Sequence, residues 1–358
     1  MAESPLSAAP VTEPSVVSDS GRKGLSGGVV SRVDLALRLG LLGIIIVVGI
    51  YFAIRTIPSG NLSDIGQSTF ISTGNLQNIA RQMAVVGVLA VGETFVIITA
   101  GIDLSIGAVL GFSGIIAAQR FIAGWPTPAV IVTVLLLGIG IGLVNGFLVG
   151  GAKVPPFIVT LGMLGIARGA AYLAGNGLNT SLSPTGEPVP FSNWASDTSL
   201  LGIPNIFLVL AAVGIAGELF LRYTRRGRYV YALGSNPEAA RLSGVNVLAI
   251  IVLVYAISGC LASMAGLLQT GRLNGANPNN GLGNELDAIA AVVLGGASLF
   301  GARGNIIGTF FGLVLINELA NGIDLIGADA HVQQAVEGLL LIVIVWVDQW
   351  RKRRIASA

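Results

Sequence analysis

At 358 residues, 53% of them hydrophobic and only 11% charged, with 50 glycines and a mean hydropathy of +0.81, the chain is not an ordinary soluble domain. Its formal net charge of +2 says nothing in favour of nucleic acid, and with basic residues beside apolar runs and no interleaved aromatics no nucleic-acid partner is expected. A single cysteine, Cys260, excludes a disulfide framework and a cysteine-rich metal site, and reads as an inert core residue.

Residues 1–34 are rich in Ser, Pro, Gly and Val without an apolar run, and read as a disordered cytoplasmic tail rather than a cleaved signal peptide. Hydropathy and breakers then predict about ten apolar spans, 35–54, 79–99, 103–123, 127–150, 155–175, 204–221, 247–270, 285–300, 305–321 and 331–348. The pieces starting at Pro155 and Glu285 are short or punctuated by Gly and Pro, so each is a candidate for a broken or re-entrant segment. An even count with both termini inside places most of the 20 Lys and Arg residues on the cytoplasmic side, including the basic loop 222–246 and the basic tail 351–358. The polar segments 61–78, 176–204 and 273–284 then fall outside, as connecting loops or as surfaces for an external partner.

The fold class expected is therefore an all-α polytopic membrane protein whose transmembrane domain covers residues 35–350. An internal echo divides it into repeats of about 35–175 and 204–350. Ile102–Gly111 resembles Leu286–Gly295, Gly142 and Gly146 echo Gly308 and Gly312, and Arg168–Gly169 echoes Glu337–Gly338. The echoed spans are an odd number apart, so the two five-helix halves run in opposite directions, as in transport proteins built from inverted repeats.

Ionisable groups within apolar stretches each cost about 2.5–3.5 kcal/mol near the bilayer centre unless paired or hydrated. They are Glu93, Asp103, Arg168, Glu285, Asp287, Glu318 and Glu337. Glu93 lies deepest and reads as lining a cavity, whereas Asp103 and Asp287 stand at helix starts, where capping of backbone amides competes with substrate contact. The polar path candidates are Glu93, Thr94, Asp103, Ser105, Asp287, Asn317 and Asn321. The segment Gly101–Ser105 interrupts its apolar run and suits unwound backbone at membrane depth, while Gly138, Gly140, Gly142 and Gly146 read as helix packing.

Within the loop 222–246 lies a complete short helix signal. Asn236 serves as N-cap, Pro237 as the first helical residue, Glu238 as a charge suited to the positive end, and Gly244 as the closing residue after Ala239, Ala240, Arg241, Leu242 and Ser243. Such a helix is either a docking element or a solvated turn. No Gly-rich phosphate loop is present, so any ATP is handled by a partner. Paired-His metal motifs and nucleophile elbows are absent too, and His331, the one histidine, sits at a span edge, so neither enzyme activity nor a cofactor is expected.

The run GETFVIITAGIDLSIG, Gly92–Gly107, resembles the signature of ribose- and xylose-type ABC importer permeases, and Lys153–Leu161, Asn236–Asn246, Glu285–Gly296 and Asn321-Gly322 are similar to that family in the same order. The likeness runs from about Leu35 to Arg354. It implies a homodimer of ten-span subunits in the bacterial inner membrane, embedded in lipid, with a path between the subunits, a separate ATP-binding subunit and an extracytoplasmic solute-binding protein. It also implies that Asn236–Gly244 couples to the ATPase, and that the cargo is a monosaccharide such as a pentose. Two alternatives stand beside it: an ion-coupled secondary transporter in which Glu93 with Arg168 or Glu337 relays protons, and an ABC permease for branched amino acids, nucleosides or autoinducers.

Overall fold

The computed structural model describes residues 27–329 except 184–188 and 200, with scattered helical positions between 332 and 346, and the side chains from Leu39 onward. Residues 27–37 form the helical start of α1, and from Arg38 the chain makes one compact unit. Of the expected tails 1–34 and 351–358, residues 1–26 and 351–358 lie outside the described residues, as do His331, Glu337 and much of the tenth span, whereas residues 27–34 are helical rather than irregular.

The architecture is mainly helical: α1 Gly27–Arg55, α2 Thr73–Ile98, α3 Ile106–Ile122, α4 Thr127–Gly150, α5 Pro156–Ala174, α6 Pro190–Ser196, α7 Asn205–Tyr223, α8 Arg225–Ser235, α9 Pro237–Leu242, α10 Val247–Arg272, α11 Asn284–Leu294 and α12 Ile306–Leu325. Six of these, α2, α4, α5, α7, α10 and α12, are long and apolar enough to cross a membrane, and Leu39–Arg55 and α3 are shorter apolar helices. The chain is thus a multi-pass helical membrane protein.

The expected all-α polytopic class holds, with one addition among the described residues: Thr180–Ser181 (β1) pairs antiparallel with Gly275–Ala276 (β2) between two loops. Several finer expectations are corrected. The Pro155 piece is an unbroken helix of 19 residues, its prolines sitting at the N-terminus, where a missing N–H costs nothing. The predicted span 285–300 is instead an 11-residue helix, about 16 Å long, stopped at Gly295 and Gly296, the latter at φ 93°. The loop 222–246 holds a second helix, α8, absent from the sequence reading. Cys260 is half-buried rather than core.

Helix contacts rest on small residues, as expected where lipid removes most of the hydrophobic drive for association. Gly138, Gly142 and Gly146 of α4 lie against the α10 backbone, where a Cβ would strike Gly259, Tyr255 and Val252, whereas Gly140 meets nothing. Gly308 and Gly312 of α12 do the same against Gly295 and Ala291 of α11. The central helices α2 and α10 pack on one another; α3 lies on α10 and α11 on α2.

Candidate functional site

Between α2 and α3 the chain reverses without helix. Ala100 takes φ 63°, and the segment that follows returns along α2 far enough for the Asp103 amide to donate to Glu93 Oε1 at 3.1 Å. Asp103 holds the turn: Oδ1 accepts from the Ser105 amide (3.0 Å) and hydroxyl (2.6 Å), and Oδ2 accepts from Ser258 of α10 (2.9 Å). Asn145 of α4 donates to Ser105 Oγ, and Thr160 of α5 to the Ile102 carbonyl, both at 3.1 Å. The unwound Gly101–Ser105 segment is therefore buried in protein, which is the condition for tolerating it at membrane depth. Asp103 thus binds the turn rather than the first amides of α3, which has no side-chain cap, and Glu93, fully buried, braces the same turn.

The remaining path candidates are placed apart from this cluster. Thr94, 0% exposed, shares a 2.9 Å bond with Thr309, joining α2 to α12. Asn317 donates to Leu313 O on its own helix, and Asn321 exchanges two amide hydrogen bonds with Asn75 at the start of α2. Asp287 lies in the first turn of α11, partly exposed and partnered. Glu93 and Arg168 are not brought together: Arg168 Nη1 donates to the carbonyls of Pro278 (2.5 Å) and Asn280 (2.9 Å). A cavity of about 370 Å³ between α2, α7 and α12 is lined by apolar residues such as Leu210, Ile215, Ile306 and Phe310, together with Glu218 and Thr309, and includes none of the path candidates.

The loop helix forms as its sequence dictates. Asn236 Oδ1 accepts from the Glu238 and Ala239 amides, both at 3.0 Å, and Gly244 closes the helix at φ 83°. Arg241 pairs with Glu238 at 2.6 Å, holding that carboxyl below the usual range, first through the hydrogen bond and then through charge. Only Ala240 is buried; Leu242 projects with 78% of its surface exposed.

The adjoining α8 ties this face to the membrane helices. A Cβ on Gly234 would run into the Ile98 carbonyl at the end of α2, and Gly301, at φ 84°, brings the α11–α12 loop against the same point. Ala302 donates to Ile98 O at 2.9 Å, and Tyr231 Oη to Gly304 O at 2.8 Å. Burial, then the Glu218 charge, pushes the Tyr231 phenol up to about 12, so it remains a donor at neutral pH. Glu218 itself accepts from the Ile306 amide at 3.0 Å, capping α12. Sequence reasoning missed Glu218, Tyr231 and Gly234. For Glu218 a signal existed, an acidic residue inside an apolar run; for the other two the contact is set by residues far away in the chain.

At the opposite end, the β1–β2 pairing, α6, Asn75 with Asn321 and the Arg168 contacts gather the other set of loops. A mainly helical membrane domain with small-residue packing, a buried polar break and an exposed capped helix on one end is a multi-pass membrane protein with a surface suited to docking.

The chain belongs to the permease family described as "Branched-chain amino acid transport system / permease component", which matches residues 75–345. It is 41% identical over 283 residues to the ribose import permease protein of Escherichia coli (strain K12), covering 78% of this chain and 87% of that one. It is 36% identical to the fructose import permease protein of Rhizobium meliloti, over 79% and 80% of the two chains, and 34% identical to the xylose transport system permease protein of Escherichia coli (strain K12), over 80% and 87%. No solved structure matches.

Proposed function

We propose that this chain is the translocating subunit of an ABC importer for a monosaccharide, a pentose or close relative, working by alternating access. It pairs with a second copy of itself, a separate ATPase and an extracytoplasmic solute-binding protein in a bacterial inner membrane, with both termini cytoplasmic. Similarity to permeases named for ribose, fructose and xylose supports the cargo class. The inverted five-helix repeats are supported by the exchange of partners in the centre, α3 on α10 and α11 on α2, and by the matched glycine rows of α4 and α12. In this reading α11 and the tenth span complete the second repeat, and the path runs beside the Gly101–Ser105 break and the loop 273–283 before α11, with Asp103 and Ser105 at the first, Asp287 just after the second, and Thr94, Asn317 and Asn321 on the walls between them.

The observation that carries the coupling assignment is α9: capped at both ends, exposed, tipped by Leu242, and continuous through α8 with the ends of α2 and the α11–α12 loop. Closure of an ATPase groove around Asn236–Gly244 then moves the Gly101–Ser105 break and the α11–α12 loop together. Replacing Glu238 by Ala or Gly244 by Val is expected to lower uptake at least tenfold while ATP hydrolysis by the assembled complex continues. Uptake at the native rate in both variants rejects the assignment.

A further inference from the structure

The loop that follows β2 folds inward beside α3, over two glycines one turn apart. A Cβ on Gly111 would lie 2.7 Å from Asn280 O and 3.0 Å from Arg168 Nη1, and one on Gly107 would strike Glu285 Oε2 and Gly281 O. The bare face of α3 thus makes room for an arginine, a carboxylate and a backbone loop together. The Glu285 carboxylate is reached by the Gly283 and Glu285 amides, yet Oε2 has no hydrogen-bond partner although the residue is only 8% exposed. Buried carboxylate oxygens without a donor are rare because desolvation without compensation costs about 1–3 kcal/mol or more. Arg168, the nearby cation, spends Nη1 on Pro278 O and Asn280 O instead. One turn along α5, Tyr172 is 41% exposed and donates to Asn279 Oδ1 at 2.6 Å, which puts an aromatic ring and an amide on the outer side of the same loop.

We infer that Glu285, Arg168 and Tyr172 form a monosaccharide-binding subsite on the permease itself, in which Glu285 Oε2 accepts a sugar hydroxyl once the 277–283 loop releases Arg168. The inference rests on the sugar reading above. One positive and one negative group balance, so the cluster suits a neutral ligand rather than an ion. Carboxylate, guanidinium and amide each offer directional partners to vicinal hydroxyls, and a tyrosine ring covers the apolar face of a pyranose or furanose. Arg168 then acts in two positions: on the loop carbonyls when the subsite is empty, and on the sugar when it is filled.

The test uses the complete complex in proteoliposomes, with labelled D-ribose, D-xylose and D-fructose as probes. For whichever sugar the native complex imports, Glu285→Gln, of equal shape, is expected to lower uptake about tenfold at equal protein content in the membrane. A second measurement separates contact from folding. A membrane-permeant carbodiimide attaches covalently to Glu285, and peptide mass spectrometry is expected to show that attachment slowed at least threefold by the imported sugar but not by the other two. Native uptake with Glu285 labelled at a sugar-independent rate overturns the subsite alone. Failure of the native complex to import any of the three overturns the sugar reading from which the subsite follows.

Discussion

Replacing Asp103 by Ala removes the acceptor for three donors, the Ser105 amide and hydroxyl and the Ser258 hydroxyl, all of them buried. Each donor left unpaired costs about 1–3 kcal/mol, so Asp103→Ala is expected to lower stability by at least about 2 kcal/mol, read as a fall in the thermal midpoint in detergent. Asp103→Asn, which keeps one acceptor oxygen and whose amide suits a rotated Ser258 hydroxyl, is expected to lose less than half as much; equal losses would show that charge, not geometry, holds the turn. Thr94→Val breaks a single interhelical bond to Thr309, for which roughly 0.5–2 kcal/mol is expected. Part of the Asp103 role was legible in the sequence because its bond to the Ser105 amide is local, closing a turn two residues on, although it does not cap α3 itself. The partners of Glu93, Arg168 and Asn321 were not legible, since Asp103, Pro278 and Asn75 reach them only after the chain has turned back on itself.

Among the elements, α9 was read from sequence to within a residue, because every signal that makes it lies inside Asn236–Gly244. Asn236→Ala removes the acceptor for two amides and is expected to weaken the helix by about 1 kcal/mol, speeding hydrogen exchange at Glu238 and Ala239 roughly fivefold. Glu238, whose pKa is depressed, contributes its ion pair above the ordinary carboxyl range and loses it only as pH falls through that lowered value, so exchange rates corrected for intrinsic chemistry are expected to show no Glu238 transition between pH 5 and 8. The neighbouring α8 escaped notice because Gly227 and Gly234 dilute its local preference for helix. Those glycines are needed for packing, on the α7 end at Phe220 and Leu221 and on the α2 end at Ile98. Gly234→Ala is accordingly expected to destabilise by about 1–3 kcal/mol, a large effect for one methyl group, seen in the same thermal assay.

For the whole molecule, the two loop clusters at opposite ends predict sidedness. With Cys260 replaced by Ser, Asn279→Cys and Arg241→Cys are expected to react with an impermeant maleimide only from opposite sides of sealed vesicles; labelling from the same side refutes the arrangement. Composition made the membrane class evident, and hydropathy found the long helices, since both depend on sums over about 20 residues. Hydropathy overran at 285–300, where Ala297, Leu299 and Phe300 are apolar although Gly295 and Gly296 have already ended the helix.

The brevity of α11 also constrains how the protein is made. At about 16 Å it offers too few apolar residues for the insertion machinery to retain as a span of its own. It lies against α2, already made, and against Gly308 and Gly312 of α12, which emerges after it. α11 is therefore expected to enter the bilayer packed on protein rather than as a lone span, and a nascent chain arrested near Arg303 is expected to hold α11 less firmly than one extended past α12.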